Sequence, residues 1–346
     1  MMNMETKGST VLVTGATTPL GRKVCRSLID KGNTVRAVLR DDPKTSNEWH
    51  RLPTGVVPYV VDLTLKDKKQ EETLRQACAG ASSIFHIASA SYSAQTTYDH
   101  LIDINVIGTE NVIKAWLDAN PSPAKGRIIF TSSASVYGHS RPGELLNENS
   151  KLKPDGPYAL SKYMAAHVIE SWCSANPRLS YTIARLGVFY GEGYEAYAFK
   201  IYELLMEDRM SYLSKGLNHL ALIHVDDAVD ALMRIYDNAE VSANKTYNIT
   251  DGIAYTQKEF LDTAVRLLNA KQISRSTHPL LVGFLAKKNS MEYQQHEFIN
   301  SDRMVSIDLA RKELGFKPSR NYESESKVMV EQFMSERAKS AHAEHK

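Results

Sequence analysis

The sequence TGATTPLG at residues 14–21 follows the apolar run VLV at residues 11–13 and precedes a segment with the pattern of an amphipathic helix. A strand, a glycine-rich turn and a helix near the start of a chain form the usual site for a dinucleotide pyrophosphate. The first turn of the helix presents unpaired N–H groups and the positive end of its dipole. Gly15 would make the tight turn, and Gly21 would let the helix pack closely on the strand. The stretch therefore predicts a nucleotide-binding α/β fold.

The loop departs from the usual three-glycine pattern at its centre, where Thr18 replaces the middle glycine. Thr18 is a natural N-cap with a hydroxyl to offer, and Pro19 gives up only an N–H that the helix leaves unpaired. A capped strand-to-helix turn occurs in many folds, so the loop alone leaves cofactor binding open. The residues that would bind the cofactor here are Gly15, Thr17, Thr18, Pro19, Leu20 and Gly21.

Short β-branched runs alternate with longer amphipathic segments over the first half of the chain, which is typical of a parallel sheet with crossover helices. The predicted strands are Thr10–Val13, Thr34–Leu39, Val56–Val61, Ser83–Ile87, Arg127–Thr131 and Tyr181–Leu186. The predicted helices there include Leu20–Lys31 and Asp103–Asn120. Past Gly191 we expect helices in EGYEAYAFKIYELLMEDRM, DDAVDALMRIYDNA, Gln257–Leu268 and Leu309–Leu314, and strands in HLALIHV and KTYNIT.

This pattern predicts a Rossmann-type, doubly wound parallel sheet with a smaller C-terminal α+β substrate-binding region. The dinucleotide-binding domain would span residues 10–190, with returning segments near 220–250, and the substrate-binding region residues 191–334. Residues 1–9 and 335–346 would be a flexible N-terminus and a flexible tail.

The composition excludes several classes of function. Of the 346 residues, 42% are apolar and 24% charged, as in an ordinary globular protein. A net charge of +2 is too small to indicate nucleic-acid binding. Three widely spaced cysteines, Cys25, Cys78 and Cys173, predict buried neutral thiols rather than disulfides or a metal site. The chain begins without an apolar signal core and has no long apolar run, so we expect a cytoplasmic protein with no membrane partner.

The end of the second predicted strand bears on cofactor choice. An acidic residue about 20 residues past the loop would bind a ribose 2′-OH, whereas an arginine there would bind a 2′-phosphate. Arg36 and Arg40 occupy this region, and Arg40 has no acid before it, which favours NADP over NAD. Asp41 and Asp42 follow and weaken that preference, and a solvated charge cluster is the alternative.

The predicted chemistry centres on YALSK at residues 158–162, which follows the serine-rich strand end at Ser133. In a helix, positions i and i+4 share a face, so Tyr158 and Lys162 point the same way. An adjacent ammonium would stabilise the phenolate and lower the tyrosine pKa towards the working range. Tyr158 would then exchange a proton with a substrate oxygen held by Ser133, while a nicotinamide moves a hydride. A surface Tyr–Lys pair is the alternative for this motif alone.

Together these motifs resemble the extended short-chain dehydrogenase/reductase superfamily, which includes nucleotide-sugar epimerases and dehydratases, dihydroflavonol reductases and hydroxysteroid dehydrogenases. The resemblance runs through TGATTPLG, HIAS, NVIGTENV, TSSASVYG, YALSK, ARLGVFYG, LIHVDDAVDAL, YNI and LGFKP. It implies that Ser133, Tyr158 and Lys162 are catalytic and that the backbone of Asn105 helps hold a proton-relay water. Further cofactor contacts would be Arg40, Asp62, Leu63, Ala88, Ser89, Tyr158, Lys162, Leu186 and Val188. Asp62 would accept from the adenine amino group, or it is only a turn former.

Departures from the family pattern narrow the choice. Dehydratases of this family follow the catalytic hydroxyl residue with an Asp-Glu pair, where this chain has Ala134 and Ser135, so dehydration is disfavoured. Galactose epimerase-like members carry a diphosphate-binding arginine where this chain has Leu220. Cations nearby that could substitute are Arg209, Lys215 and His219. The apolar LALI at residues 220–223 fits a less charged ketone or alcohol, and an ordinary buried strand is the alternative.

The leading hypothesis is an oxidoreductase, preferring NADP to NAD, that interconverts a secondary alcohol and a ketone on a small organic substrate. The first alternative is a nucleotide-sugar epimerase, such as a UDP-sugar 4-epimerase with tightly bound NAD. The second is a non-catalytic NADP-binding protein, which the retention of Tyr158 and Lys162 disfavours. The resemblance also implies a homodimer formed through the helices around residues 103–120 and 158–175.

Overall fold

The computed structural model describes residues 8–40, 52–91, 96–278 and 301–344. The strands are β1 (Thr10–Thr14), β2 (Thr34–Leu39), β3 (Val57–Val60), β4 (Ser83–His86), β5 (Gly126–Ser133), β6 (Leu145–Leu146), β7 (Leu179–Leu186), β8 (Val188–Tyr190), β9 (Tyr212–Leu213), β10 (His219–Leu220), β11 (Leu222–His224), β12 (Lys245–Ile249), β13 (Tyr255–Thr256), β14 (Ser276–Thr277) and β15 (Met304–Val305). The helices are α1 (Pro19–Asp30), α2 (Lys68–Cys78), α3 (Tyr98–Ile102), α4 (Gly108–Ala119), α5 (Pro157–Ala175), α6 (Glu195–Met206), α7 (Val225–Asp237), α8 (Ala239–Ser242), α9 (Gln257–Leu268), α10 (Asp308–Leu314) and α11 (Tyr322–Glu344).

Seven strands form one parallel sheet in the order β12-β7-β5-β4-β1-β2-β3. Successive side chains of a strand point to opposite faces, so Val11 and Val13 of β1 enter one core and Leu12 enters the other. Helices α1 and α7 cover the first face, and α2, α4 and α5 cover the second. A parallel sheet with helices on both faces confirms the predicted doubly wound, Rossmann-type fold.

The C-terminal region builds a core of its own. Helices α6, α9 and α11 pack together around the buried side chains of Tyr202, Leu261 and Phe333. The short strands pair there in twos, for example β11 with β8 and β10 with β13. The chain also returns to the main sheet, because β12 pairs in parallel with β7, from Lys245 opposite Thr182 onwards.

The strands predicted for the sheet lie within two residues of the observed ones, but three other segments differ from expectation. The predicted helix Asp103–Asn120 is interrupted, because Asp103–Ile107 forms a π-helical turn before α4 begins. The single strand predicted in HLALIHV is divided into β10 and β11. Residues 335–344, predicted as a flexible tail, continue α11, because their Ala, Glu, Lys and Arg residues favour a helix.

The three cysteines are free and buried, as predicted. Burial raises the pKa of the Cys25, Cys78 and Cys173 thiols to about 12, so all three are neutral. Among the residues described, no helix combines the length and the apolar character that crossing a bilayer requires.

Candidate active site

A cleft of about 770 Å³ opens at the carboxyl ends of β1 to β4, where ligands bind in doubly wound sheets. Most of the predicted cofactor residues line it: Gly15, Thr17, Thr18, Pro19, Arg40, Asp62, Leu63, Ala88 and Ser89. Leu20 and Gly21 are buried behind this lining in the first turn of α1. The other predicted contacts lie outside the lining: Tyr158, Lys162, Leu186 and Val188.

Both glycines of the loop are required by its geometry. Gly15 has a φ of +72°, and a Cβ there would come within 2.6 Å of the Ala88 backbone nitrogen. A Cβ on Gly21 would lie 2.2 Å from the Gly15 carbonyl oxygen. Because both obstacles are backbone atoms, no side-chain movement relieves them. The turn is therefore as tight as a dinucleotide pyrophosphate cradle requires, and these residues fit the cofactor.

Thr18 caps α1, as predicted. Its hydroxyl accepts from the Gly21 N–H at 3.0 Å and donates to the Gly15 carbonyl at 2.8 Å. A hydroxyl has one proton, so that proton is used inside the loop. In this structure the Thr18 hydroxyl therefore holds the loop in shape.

The two arginines of β2 and its end have different surroundings. Arg36 Nη1 donates to three carbonyl oxygens at the C-terminal end of α2, where a cation complements the helix dipole. These acceptors are Gln76, Ala77 and Ala79, at 3.1, 3.1 and 2.6 Å. Arg40 lines the cleft, which leaves it as the candidate for a 2′-phosphate. Asp41 and Asp42 lie outside the described residues.

Asp62 both lines the cleft and forms a turn. Its Oδ1 accepts from the Thr64 backbone N–H at 3.0 Å and from the Thr64 hydroxyl at 2.9 Å. Lys66 Nζ lies 3.3 Å from Oδ2. Burial acts to raise the pKa of Asp62, but these contacts outweigh it, so the pKa is lowered and the carboxylate is charged.

Sequence reasoning missed the segment 191–195, which packs on the N-terminal turn of α1. Gly193 has a φ of +89°, and a Cβ there would lie 2.6 Å from the Pro19 Cβ. Glu192 forms a salt bridge of 2.8 Å with Lys23 of α1. Gly193 and Glu195 line the cleft, together with Arg22 of α1. The glycine pair in GEG just past β8 is the signal that could have indicated this close approach.

Ser133 ends β5 with its hydroxyl oriented by the next turn. Its Oγ accepts from the Ser135 backbone N–H at 3.1 Å and from the Ser135 hydroxyl at 2.9 Å. With both lone pairs engaged, the hydroxyl proton of Ser133 is left to donate, and no hydrogen bond among the described residues uses it. Ser135, considered in the sequence only as a replaced dehydratase position, thus has a positioning role.

Burial dominates the electrostatics of Tyr158 and Lys162. Lys162 is 2% exposed, its ammonium lies 4.3 Å from the centroid of the Phe130 ring, and burial lowers its pKa to about 7. Burial raises the pKa of Tyr158, and a hydrogen-bond contact with the Ser89 side chain only partly offsets this. The net pKa of Tyr158 is therefore raised rather than lowered as expected, because the effect of burial on its ionised form dominates. Tyr158 is protonated at neutral pH.

Asn105 joins the π turn to α5 and to the segment after β4. Its Oδ1 accepts from the Ala90 N–H at 2.7 Å, and its Nδ2 donates to the Ala90 carbonyl at 3.1 Å. Nδ2 also donates to Ser161 Oγ at 2.9 Å, and Ser161 in turn donates to the Tyr158 carbonyl at 2.8 Å. The asparagine is 1% exposed, so these bonds fix α5 against the π turn.

The far side of the site is formed where β7 ends. Leu186 is opposite Ser133 of β5 and Ile249 of β12 in the sheet register, and it is buried. Val188, two residues later, begins β8 and is half-buried. Both predicted contacts thus lie at the same carboxyl edge of the sheet as Ser133.

The residues considered for substrate binding, residues 220–223 and the nearby cations, make other contacts in the structure. Residues 220–223 are each no more than 5% exposed, which agrees with the alternative of a buried segment, although the strand there is divided into β10 and β11. Arg209 pairs with Glu207 at 2.8 Å, and His219 pairs with Asp302 at 2.8 Å. Two of the three cations considered for a diphosphate therefore already have carboxylate partners.

Comparison with known families agrees with this arrangement. The model of the NAD dependent epimerase/dehydratase family matches residues 11–250. The chain belongs to this family. The match begins in β1 and ends just past β12, so it includes every strand of the parallel sheet. The protein is thus an NAD(P)-dependent enzyme of the extended short-chain dehydrogenase/reductase type.

Its relatives include both reductases and epimerases. A 2-alkyl-3-oxoalkanoate reductase from Stenotrophomonas maltophilia is 26% identical over 274 residues, covering 77% of this chain and 78% of the relative. A dihydroflavonol 4-reductase from Hordeum vulgare is 24% identical, covering 69% and 70%. An N-acetyl-alpha-D-glucosaminyl-diphospho-ditrans,octacis-undecaprenol 4-epimerase from Escherichia coli O157:H7 is 27% identical, covering 59% and 60%.

Solved structures share the fold over nearly the whole chain. UDP-glucose 4-epimerase from Thermotoga maritima, solved with UDP-glucose, is 20% identical with a TM-score of 0.73, covering 94% of this chain and 99% of its own. DesIV, a dTDP-glucose 4,6-dehydratase from Streptomyces venezuelae solved with NAD, is 19% identical with a TM-score of 0.75, covering 95% and 98%.

Proposed function

We propose that this enzyme reduces a ketone to a secondary alcohol on a small organic substrate, with NADPH as the hydride donor. The observation that carries the proposal is the series of hydrogen bonds that joins the backbone of Tyr158, through Ser161 and Asn105, to the lining of the cofactor cleft. A proton donor beside a dinucleotide cleft is what carbonyl reduction needs. The bound cofactor would supply the hydride.

Each catalytic side chain has a distinct part in this proposal. The Ser133 hydroxyl donates a hydrogen bond to the substrate carbonyl oxygen and so polarises the carbonyl group. Tyr158 transfers its proton to that oxygen as the alcohol forms. Lys162, in its ammonium form, stabilises the phenolate that Tyr158 becomes and binds the nicotinamide ribose. Asn105 offers its backbone carbonyl to a water that returns a proton to the site.

Arg40 supports the preference for NADP. It lines the cleft at the end of β2, where a 2′-phosphate would lie, and a guanidinium binds phosphate oxygens with two parallel hydrogen bonds. Arg36, the other candidate, is held by the carbonyls of α2. NAD remains the alternative, since the family description names it.

Epimerisation of a nucleotide sugar is the second candidate function. The 27% sequence identity to an undecaprenol-linked 4-epimerase favours it. The same side chains would oxidise a sugar hydroxyl and return the hydride to the other face. Against it, Arg209 and His219 are engaged by Glu207 and Asp302, which leaves them poorly placed to bind a diphosphate.

The experiment that separates these functions measures cofactor consumption. Purified enzyme is mixed with NADPH and β-keto acids, dihydroflavonols or simple aryl ketones, and separately with UDP-glucose and no added cofactor. Oxidation of NADPH in proportion to alcohol formed is the expected result. Formation of UDP-galactose without net cofactor turnover would instead establish the epimerase.

We also propose that the enzyme is a homodimer formed through α4 and α5. Besides the family likeness, the support is Ile107, an apolar side chain that is 40% exposed just before α4. Ile107→Glu should shift the mass measured by light scattering from dimer to monomer. The matched control is Val328→Glu, because Val328 on α11 is 58% exposed and far along the chain. A monomeric wild type would contradict the proposal.

A further inference from the structure

A series of buried hydrogen bonds runs from β1 to the π turn through the ring of His86. The Nδ1 atom of His86 lies 2.8 Å from Thr14 Oγ1, and Nε2 lies 2.8 Å from Thr109 Oγ1. Thr14 Oγ1 accepts from the Ala88 N–H at 3.2 Å, and Thr109 Oγ1 lies 2.6 Å from the Asn105 carbonyl oxygen. None of the three side chains in the middle is more than 1% exposed.

The bond to Asn105 determines the direction of the whole series. Two oxygen atoms approach to 2.6 Å only with a hydrogen between them, so the Thr109 hydroxyl donates to the Asn105 carbonyl. Its single proton is then used, and Thr109 must accept a hydrogen bond from His86. The ring hydrogen therefore sits on Nε2. Nδ1 is left as an acceptor for the Thr14 hydroxyl.

The surroundings keep this ring neutral. Burial, and secondarily the charge of Lys162, lower the pKa of His86 to about 3. The ring also stacks on Phe130, with centroids 5.7 Å apart. An imidazolium would carry hydrogens on both nitrogens and could not accept from Thr14. His86 is therefore a fixed link with one donor and one acceptor over the whole range of working pH.

We propose that His86, as its Nε2–H tautomer, is a positioning residue that orients the backbone carbonyl of Asn105 relative to the dinucleotide loop. Thr14 is the residue directly before Gly15, so the link joins the cofactor loop to the π turn through buried side chains alone. The proposal rests on the proposed function, because orienting the Asn105 carbonyl affects turnover only if that carbonyl serves proton return.

Thr109 provides the first test. Thr109→Val keeps the shape but removes the hydroxyl, so the Asn105 carbonyl loses its donor and the ring loses its acceptor. We expect kcat for ketone reduction to fall about tenfold or more, because small misplacements in an active site are costly, while the NADPH Kd changes less than about twofold. Thr109→Ser restores the hydroxyl and should recover most of kcat.

Two substitutions of His86 test the two hydrogen bonds of its ring separately. His86→Asn places an amide where Nδ1 was and keeps the contact with Thr14, whereas His86→Gln reaches towards Thr109. The first should lower kcat with little change in NADPH Kd. The second should preserve more of kcat and weaken NADPH binding, because it releases the cofactor loop. Equal effects of both variants on kcat and on Kd would overturn the proposal.

Thr182→Val is the matched control for loss of a buried hydroxyl. Thr182 is 0% exposed and donates to the Ser242 carbonyl at 2.6 Å, on the part of β7 away from the site. We expect it to lower the Tm and leave kcat unchanged. If Thr109→Val also lowered only the Tm, the role of the link would be structural and the proposal would be wrong.

A measurement independent of activity is the nitrogen-15 NMR spectrum of the histidine rings, with His86 assigned by difference from His86→Asn. The Nε2–H tautomer should persist unchanged between about pH 5 and 9. An Nδ1–H tautomer or an imidazolium in that range would refute the link whatever the enzyme turns over. A wild type that reduces no ketone but shows the expected tautomer would count against the proposed function and against the role in turnover, leaving only the hydrogen-bond direction correct.

Discussion

Ser135 donates two hydrogen bonds to Ser133 Oγ, one from its backbone N–H at 3.1 Å and one from its hydroxyl at 2.9 Å. The residue that orients the candidate catalytic serine is therefore only two positions away in the chain. This short-range arrangement saturates the lone pairs of Ser133 and leaves its proton as the group to be offered to a substrate oxygen.

Ser135→Ala tests that orientation. The variant keeps the backbone hydrogen bond to Ser133 and loses the one from the hydroxyl, which contributes about 1 kcal/mol. We expect kcat to fall about fivefold if this energy is lost in the transition state. Ser133→Ala should fall further, by about a hundredfold or more. Steady-state kinetics with the best ketone substrate checks both, and equal rates for Ser135→Ala and wild type would mean that Ser133 needs no such support.

Tyr158→Phe removes the proton donor and leaves the ring. Loss of general acid catalysis should lower kcat by roughly 10²- to 10⁴-fold, with little change in NADPH affinity. Stopped-flow measurement of NADPH oxidation, together with fluorescence titration of the cofactor, distinguishes these effects. Full activity in the variant would show that the proton reaches the substrate by another route.

Arg40→Ala should weaken NADPH binding much more than NADH binding, because only NADPH carries the 2′-phosphate. Loss of a guanidinium–phosphate contact corresponds to about 2 kcal/mol, or roughly a thirtyfold increase in Kd. The matched control is Arg36→Ala. It removes the contacts of Arg36 to α2 and should lower the Tm without changing the ratio of the two dissociation constants. Equal losses for both cofactors in Arg40→Ala would exclude the 2′-phosphate contact.

Lys162→Met should change how stability depends on pH. The pKa of Lys162 is lowered from 10.5 to about 7 on burial. Between these values the unfolded chain binds more protons than the folded one, so the wild type gains stability as pH rises through this range. The variant lacks this gain and should therefore exceed the wild type in Tm most clearly near about pH 6, and by less near about pH 9.

Thermal unfolding of both proteins across this pH range provides the measurement, and Lys153→Met, at an exposed lysine, is the control. The control should follow the wild-type curve. If Lys162→Met also followed it, the ammonium of Lys162 would not be destabilised by burial. Turnover by Lys162→Met should be largely lost at every pH, because no cation then stabilises the Tyr158 phenolate.

The sequence predicted the sheet well because its strands carry strong local signals. β1 and β2 are apolar, β-branched runs followed by glycine or charge, and their buried positions leave little choice of structure. The tight turn at Gly15 and the close packing at Gly21 were also predicted, and the approach of both residues to backbone atoms leaves no room for a side chain. Strands of two residues, such as β9 and β13, carry no period and could not be predicted.

What the sequence could not provide depends on distant contacts. Arg36 and Arg40 look alike in sequence, and their different surroundings, the end of α2 for Arg36 and the cleft for Arg40, depend on residues about 40 positions away. The expected fall in the pKa of Tyr158 followed from its neighbour Lys162, whereas burial of both groups depends on β5 and the segment after β4. The close approach of Gly193 to Pro19 likewise could not be predicted, because the two residues are far apart in the sequence.

The position of β12 has a consequence for how the protein is made. The strand that completes the cofactor-binding sheet beside β7 is residues 245–249, so a nascent chain that has emerged only to residue 190 exposes a long unpaired edge along β7. Such an edge pairs readily with other chains, and its closure waits for a contact between distant parts of the sequence. We therefore expect a fragment of residues 1–190 to aggregate rather than to bind nucleotide. Closure of the cofactor-binding sheet would then wait until residues 245–249 have been synthesised.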